Sequence, residues 1–167
     1  MPRPSTAAPK PAWTDPDCPV ARTLDLVGDR WSLLVIRDAM DGARSFTEFQ
    51  RRTGVARNIL TDRLRKLIAH GVLAQEPAPS GRRLRYVLTD AGRDLFPVLL
   101  TMRQWGERHA FEPGEPHSTL VDEHGARVPD LKPTGADGAP VDAGTTHVQK
   151  TGNHVRNTEG ASSRPVK

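Results

Sequence analysis

Residues 57–73 place the tightest restriction on the fold. At about 100° per residue, Leu60, Leu64, Leu67 and Ile68 gather on one side of a helix, while Asn58, Asp62 and Arg65 lie opposite, flanked by Thr61 and Lys66. One side has to pack; the other is left to meet a partner. After Gly71 the apolar period shortens from 3.6 to about 2. "VLAQEP" and "RRLRYVLT" therefore read as two strands, with Leu84, Tyr86 and Leu88 on one face and Arg83 and Arg85 on the other. The intervening "APSGR" is an exposed turn.

Three helices are predicted upstream. "CPVARTLDLV" puts Pro19 at a first helical position, where its missing N–H does no harm, and Gly28 ends a short helix over about 19–27. In "RWSLLVIRDAM" (30–40) Trp31, Leu34, Val35 and Ala39 fall close to helical spacing, and Leu33 and Ile36 widen the stripe into that of a mostly buried helix that stops at Gly42. Ser45 stands three places before Glu48, a reciprocal capping box, and opens a third helix that carries Phe46 and Phe49 on one side and ends near Gly54. Downstream, Thr89 is placed to cap a last helix, "DAGRDLFPVLLTMRQWGERHAF", running to about 110 and kinked at Pro97. Its apolar side chains exceed what a small helix–hairpin domain can cover. Leu95, Leu99, Met102 and Trp105 are accordingly candidates for contact with a second subunit.

Composition divides the 167 residues into unequal parts. Seven of the eight aromatic side chains lie in 18–111, whereas the last 56 residues hold seven Gly, six Pro and no aromatic. A segment of that kind cannot bury enough apolar surface to offset the entropy of ordering. We therefore expect a proline-rich, extended or disordered arm over 1–17, a folded domain over 18–111, an extension over 112–148 and a disordered tail over 149–167. Within the extension "VDEHGARV" and "GADGAPVD" are faintly alike, each with a central turn, and are candidates for small β-hairpins packed on the domain.

Charge is concentrated as well. Residues 44–86 hold ten Lys/Arg against three Asp/Glu, a net of +7 in a chain whose total is +4. Such a stretch attracts polyanions. Catalysis is not expected: the six His show no H-E-x-x-H or Cys/His ligand spacing, and no G-x-S-x-G or glycine-rich phosphate loop occurs. No metal or cofactor is expected either. The sequence has no run of 18 apolar residues to span a bilayer, its start lacks the apolar stretch of a signal peptide, and a single Cys fits a reducing cytoplasm.

Short helix, amphipathic helix, basic helix, then a hairpin with arginines at its tip is the order of a winged helix-turn-helix, a mainly α fold with a small β-hairpin wing. A B-DNA major groove about 12 Å wide admits one helix, and a neighbouring hairpin reaches the backbone or the minor groove. Arg57, Asn58, Thr61, Asp62 and Arg65 form the groove-facing set, and Arg51, Arg52, Lys66, Arg82, Arg83 and Arg85 are candidates for phosphate contact. Asp62 is awkward beside phosphates; it suits a cytosine amino group, or the orienting of Arg65 or Lys66. The rival reading is a winged helix that binds protein or RNA, since fold does not fix function.

"CPVARTLDLVGDRWSLLVIRDAMDGARSFTEFQRRT", "ILTDRLRKLIAHGVL" and "RYVLTDAGRDLFPVLLTMRQWGE" resemble the HxlR-type branch of the MarR-like winged-helix transcriptional regulators. The likeness covers about 18–110 and rests on the opening Cys-Pro, the G-x-x-W segment, L-T-x-R-L and Y-x-L-T in that order. It implies a bacterial homodimer joined through its first and last helices, bound to a pseudo-palindromic operator at the nucleoid, most naturally as a repressor. Ala56 and Arg57 depart from the family's Ser-Pro helix start, and Arg85 stands where an acid is usual; these departures bear on the operator sequence. Cys18 resembles the family's redox- or electrophile-sensing cysteine, and it sits at a helix start with Arg22 one turn on, a setting that favours thiolate chemistry. A small-molecule or electrophile effector is therefore expected among the partners.

Overall fold

The computed structural model describes residues 13–78, 81 and 83–149. All of the expected tail but Gln149, together with Arg82, thus lies outside the described residues, as does most of the N-terminal arm. What is described of the arm is tied down: Thr14 donates to the Asp25 carboxylate from its N–H (2.9 Å) and its hydroxyl (2.7 Å), and Trp13 lies under the Arg22 guanidinium. Residues 13 and 14 thus meet a cation and a carboxylate of the first helix.

Four helices precede the hairpin: α1 (Pro19–Val27), α2 (Arg30–Met40), α3 (Phe46–Thr53) and α4 (Arg57–Ala69). Each start has a local cause. Pro19 opens α1 behind Cys18, whose Sγ accepts from the Ala21 N–H. Asp29 caps α2, accepting from the Trp31 and Ser32 N–H groups and, at 2.5 Å, from the Ser32 hydroxyl. The capping box of Ser45 and Glu48 is formed in both directions. Glu48 also accepts from the Arg44 N–H, and that amide, followed by the Ser45 hydroxyl and N–H, holds its carboxyl below the ordinary range.

The core collects what the spacing predicted: Val35, Ile36 and Ala39 from α2, Phe49 from α3, and Leu60, Leu64 and Leu67 from α4. Burying each leucine or phenylalanine contributes roughly 1.5–3 kcal/mol. α2 is the central post, packing against α3, α4 and the hairpin.

The hairpin consists of β1 (Leu73–Pro77) and β2 (Leu84–Leu88), antiparallel, with Leu73 opposite Leu88 and Glu76 opposite Arg85. Its inner face is anchored where Tyr86 meets Phe49 edge-on at 5.9 Å. The Tyr86 N–H also donates to the Arg44 carbonyl (2.8 Å), so the segment before α3 lies along the outer edge of β2.

The last helix is not one kinked rod. It is divided into α5 (Asp90–Arg93) and α6 (Phe96–His109), with Pro97 in the first turn of α6. Without an N–H, Pro97 cannot continue α5, but it is well suited to begin a helix. Thr89 caps α5 and also donates to the Gly71 carbonyl (2.6 Å), while its N–H donates to Val72 O (3.2 Å). Gly92 permits this approach: a Cβ there would come within 2.2 Å of the Val72 carbonyl oxygen.

Beyond α6 the chain divides into two units, the first ending at Asp130 and the second beginning at Leu131. In the first, residues 118–130 return along α6. Val121 bridges Arg127 across a turn in which Asp122 accepts from the His124 and Ala126 N–H groups. Gln104 donates to the Pro129 carbonyl (3.0 Å), Arg127 pairs with Glu107 (3.2 Å), and Arg103 donates to the Ser118 carbonyl. The second unit holds a similar turn, bridged between Thr134 and Pro140, and then a loop in which Asp142 accepts from the Gly144 and Thr145 N–H groups.

Candidate nucleic-acid interface

α3 and α4 are joined by three residues. Gly54 takes a left-handed conformation (φ 66°), its N–H closes on the Gln50 carbonyl, and Val55 is buried in the core. This is how a helix-turn-helix corner is made: an αL residue reverses the chain, and an apolar one plugs the bend. At the start of α4, Ala56 supplies no side-chain cap, so the first N–H groups of the helix are left to solvent or to an anion.

Arg57, Asn58, Thr61, Arg65 and Lys66 are exposed along α4. The Arg57 guanidinium lies over the Phe46 ring at 4.7 Å, which orients it beside the helix start. Thr61 donates its hydroxyl proton to the Arg57 carbonyl (2.8 Å), leaving its lone pairs and methyl group outward. The side chains of Asn58, Arg65 and Lys66 have no hydrogen-bond or ion-pair partner among the described residues. They are donors without acceptors, the type that matches guanine, adenine and phosphate edges.

Three candidates are committed elsewhere. Asp62 is half-buried and pairs with Arg63 (3.1 Å), so it does not orient Arg65 or Lys66. Arg52 pairs with Asp41 (2.5 Å) and also donates to its carbonyl. Arg85 pairs across the hairpin with Glu76 (3.2 Å) and lines a hollow of about 580 Å³ with Arg44, Arg93, Met40 and Phe96. Of the remaining cations, Arg51 at the end of α3 and Arg83 on the hairpin are exposed and unpaired among the described residues.

The sequence alone does not single out Arg63. Its Nε reaches Asp29 (3.0 Å) and its Nη1 reaches Asp62, so one guanidinium fastens α4 to the capped start of α2. Burial works to raise the Asp29 carboxyl; the Ser32 hydroxyl and N–H, the Arg63 charge and the Trp31 N–H together hold it below the usual carboxylate range. The signal available in the sequence was positional: Arg63 falls on the flank of α4, between the leucine side and the polar side.

On α6, Leu95 and Leu99 turn inward and pack on the core, whereas Met102 and Trp105 are 48% and 59% exposed. Val98 shares their side, and Val20 and Leu24 of α1 are also exposed. Cys18 is partly buried at the start of α1, and the nearby Arg22 is engaged with Trp13 rather than with the sulfur. Among the described residues no three His, Cys, Asp or Glu could hold a metal ion, and no helix is long and apolar enough to cross a membrane.

Residues 26–113 match the family model described as HxlR-like helix-turn-helix. An uncharacterised HTH-type transcriptional regulator of Mycobacterium tuberculosis (strain H37Rv), Rv3095, is 42% identical over 98 residues, which are 58% of this chain and 62% of that protein. The chain therefore spans less than two thirds of this relative. The crystal structure of PA1607, described as a candidate transcription factor, is similar with a TM-score of 0.77 and 49% identity, over 81% of this chain and 96% of its own. That likeness extends well beyond 26–113. The redox regulator HypR in its oxidised form has a TM-score of 0.51 and 36% identity, over 55% of this chain and 97% of its own.

Proposed function

Since this chain belongs to the HxlR-like helix-turn-helix family, we propose that it is a transcriptional regulator that reads double-stranded DNA as a homodimer, in the cytoplasm at the nucleoid. The observation that carries this reading is the outer side of α4, where Asn58, Thr61 and Arg65 are exposed together, with Arg51, Lys66 and Arg83 around them. α4 enters the major groove with Asn58 and Arg65 toward base edges, and Arg57 beside them; Arg51, Lys66 and Arg83 contact phosphates. Val20 and Leu24 of α1 with Val98, Met102 and Trp105 of α6 form the contact between two copies, so the operator is a pseudo-palindrome with half-sites a helical turn apart. Occupying a promoter in this way represses it.

Duplexes selected from a random pool by the full chain test the reading. A selected duplex should outcompete a scrambled one, and log K should fall against log[salt] with a slope of about −0.9 per phosphate neutralised. Absence of any sequence preference, or preference for RNA, overturns it.

A second reading is favoured by the likeness to HypR together with the partly accessible Cys18 thiol at the expected contact between copies. In this reading diamide oxidises Cys18, either against a second thiol or against its copy in the partner, and operator affinity changes. If wild type and Cys18→Ser respond alike to diamide, Cys18 is only a helix cap.

A further inference from the structure

At the end of α2, β2 and α5 border a hollow of about 580 Å³, within the size range of small-molecule sites. Three arginines line it: Arg44 from the segment before α3, Arg85 from β2 and Arg93 from α5. No Asp or Glu does so among the described residues. Ala39, Met40, Val87, Leu88 and Phe96 supply the rest of the wall. By helical spacing Phe96 lies roughly across α6 from Val98, Met102 and Trp105, so the contact between copies does not draw on the hollow.

The state of each guanidinium selects the ligand. Arg44 Nη1 donates to the carbonyls of Ala39 (2.6 Å) and Ala43 (2.8 Å), which fixes the group at the end of α2, and it has no carboxylate partner among the described residues. Arg93 Nη1 donates to the Leu88 carbonyl (2.6 Å), and its Nη2 pairs with Asp90. Arg85 Nη2 pairs with Glu76 (3.2 Å). Neither carboxylate lines the hollow, and the Asp90 and Glu76 side chains are 94% and 49% exposed. Pairs so open to water hold their partners weakly. Each arginine is thus anchored through one or two nitrogens and keeps further N–H groups for an acceptor. Three like charges around one concavity, with apolar walls beside them, favour an anion and repel a cation. A carboxylate would bring two oxygens and one charge. The phosphoryl group of a monoester brings three terminal oxygens and, above its second ionisation at about pH 6, two charges, in a shape that the guanidinium fork fits.

We propose that this hollow binds a small aliphatic phosphate monoester, its phosphoryl oxygens accepting from Arg44, Arg85 and Arg93 and its carbon chain lying against Met40, Val87 and Phe96. Arg85 is then a contact to this ligand rather than to a DNA backbone.

Three probes, n-butyl phosphate, n-pentanoate and inorganic phosphate, test this by calorimetry at pH 8 on the full chain without DNA, so the outcome does not depend on operator binding. Saturable binding of one n-butyl phosphate per chain is expected, at least tenfold tighter than n-pentanoate, which lacks the dianion, and at least threefold tighter than inorganic phosphate, which lacks the chain. Arg85→Gln and Arg93→Gln each remove one guanidinium from a solvent-exposed pair; each should weaken n-butyl phosphate at least tenfold while leaving the melting temperature unchanged. Arg65→Gln reports whether the ion sits on α4 instead. No saturable binding, equal affinity for either of the other two probes, wild-type affinity in either hollow variant, or a loss in Arg65→Gln as large as theirs overturns the proposal.

Discussion

α4 and α6 are built alike and finished differently. Each buries an apolar face against the same domain, through Leu60, Leu64 and Leu67 in one and Leu100 in the other, and each leaves a side exposed. On α4 that side carries Asn58, Arg65 and Lys66; on α6 it carries Val98, Met102 and Trp105. Inner faces specify the fold, and outer faces specify what the fold meets. A cation-and-amide side gains little from water exclusion and much from ordered acceptors, whereas an exposed Met–Trp side gains mainly from being covered. The same molecule thus exposes a side of cations and amides on one helix and an apolar side on another.

The strongest test of this division is the inner face itself. Leu64→Ala should cost about 2–5 kcal/mol of folding stability, read by chemical denaturation, because a fully buried leucine leaves a cavity as well as lost transfer energy. A neutral result would mean that the core is not what holds α4 in place. On the outer side of α6, Met102→Glu with Trp105→Glu should leave folding intact and raise the dissociation constant between copies on the order of a hundredfold, about 2.7 kcal/mol. Sedimentation of the variant as an unchanged dimer would remove α6 from the contact.

On the outer side of α4, Arg65→Ala should cost about 1–3 kcal/mol in operator affinity and relax one base position. Equal weakening on every duplex would instead mark Arg65 as a phosphate contact. The smallest expected effect concerns acid. The Asp29 and Glu48 carboxyls are held low in the folded chain, so their contribution is present above the unfolded range, about pH 4, and is lost as pH falls through the lower folded values. Melting temperature should therefore drop below about pH 4, and less steeply in Asp29→Asn than in wild type. Parallel curves would mean that the Arg63–Asp29 link carries no net weight.

What the sequence made legible follows from periodicity. The leucines of α4, the capping box of α3 and the change of period at Gly71 are local signals, and the structure realises each of them. Pairings between distant residues are not local. Nothing near Arg63 told that it would reach Asp29, nor that Glu76 would engage Arg85 until the hairpin register was known. Pro97 was recognised as a disturbance, but whether a proline bends a helix or begins a new one depends on what the neighbouring segment is tied to. Here Thr89 and Gly92 fasten α5 to the backbone at Gly71 and Val72. Apolar surplus reveals an amount, not a direction: of Leu95, Leu99, Met102 and Trp105, the first two pack on the domain's own core.

The junction at Thr89 and Gly92 has a mechanical consequence. It rivets α5 to the backbone just past the far end of α4, with no room for a methyl group between Gly92 and Val72. A joint packed this closely fixes the position of α5 against the end of α4. Larger residues at position 92 would loosen that hinge, and the two ends of the domain would then lose their common bearing.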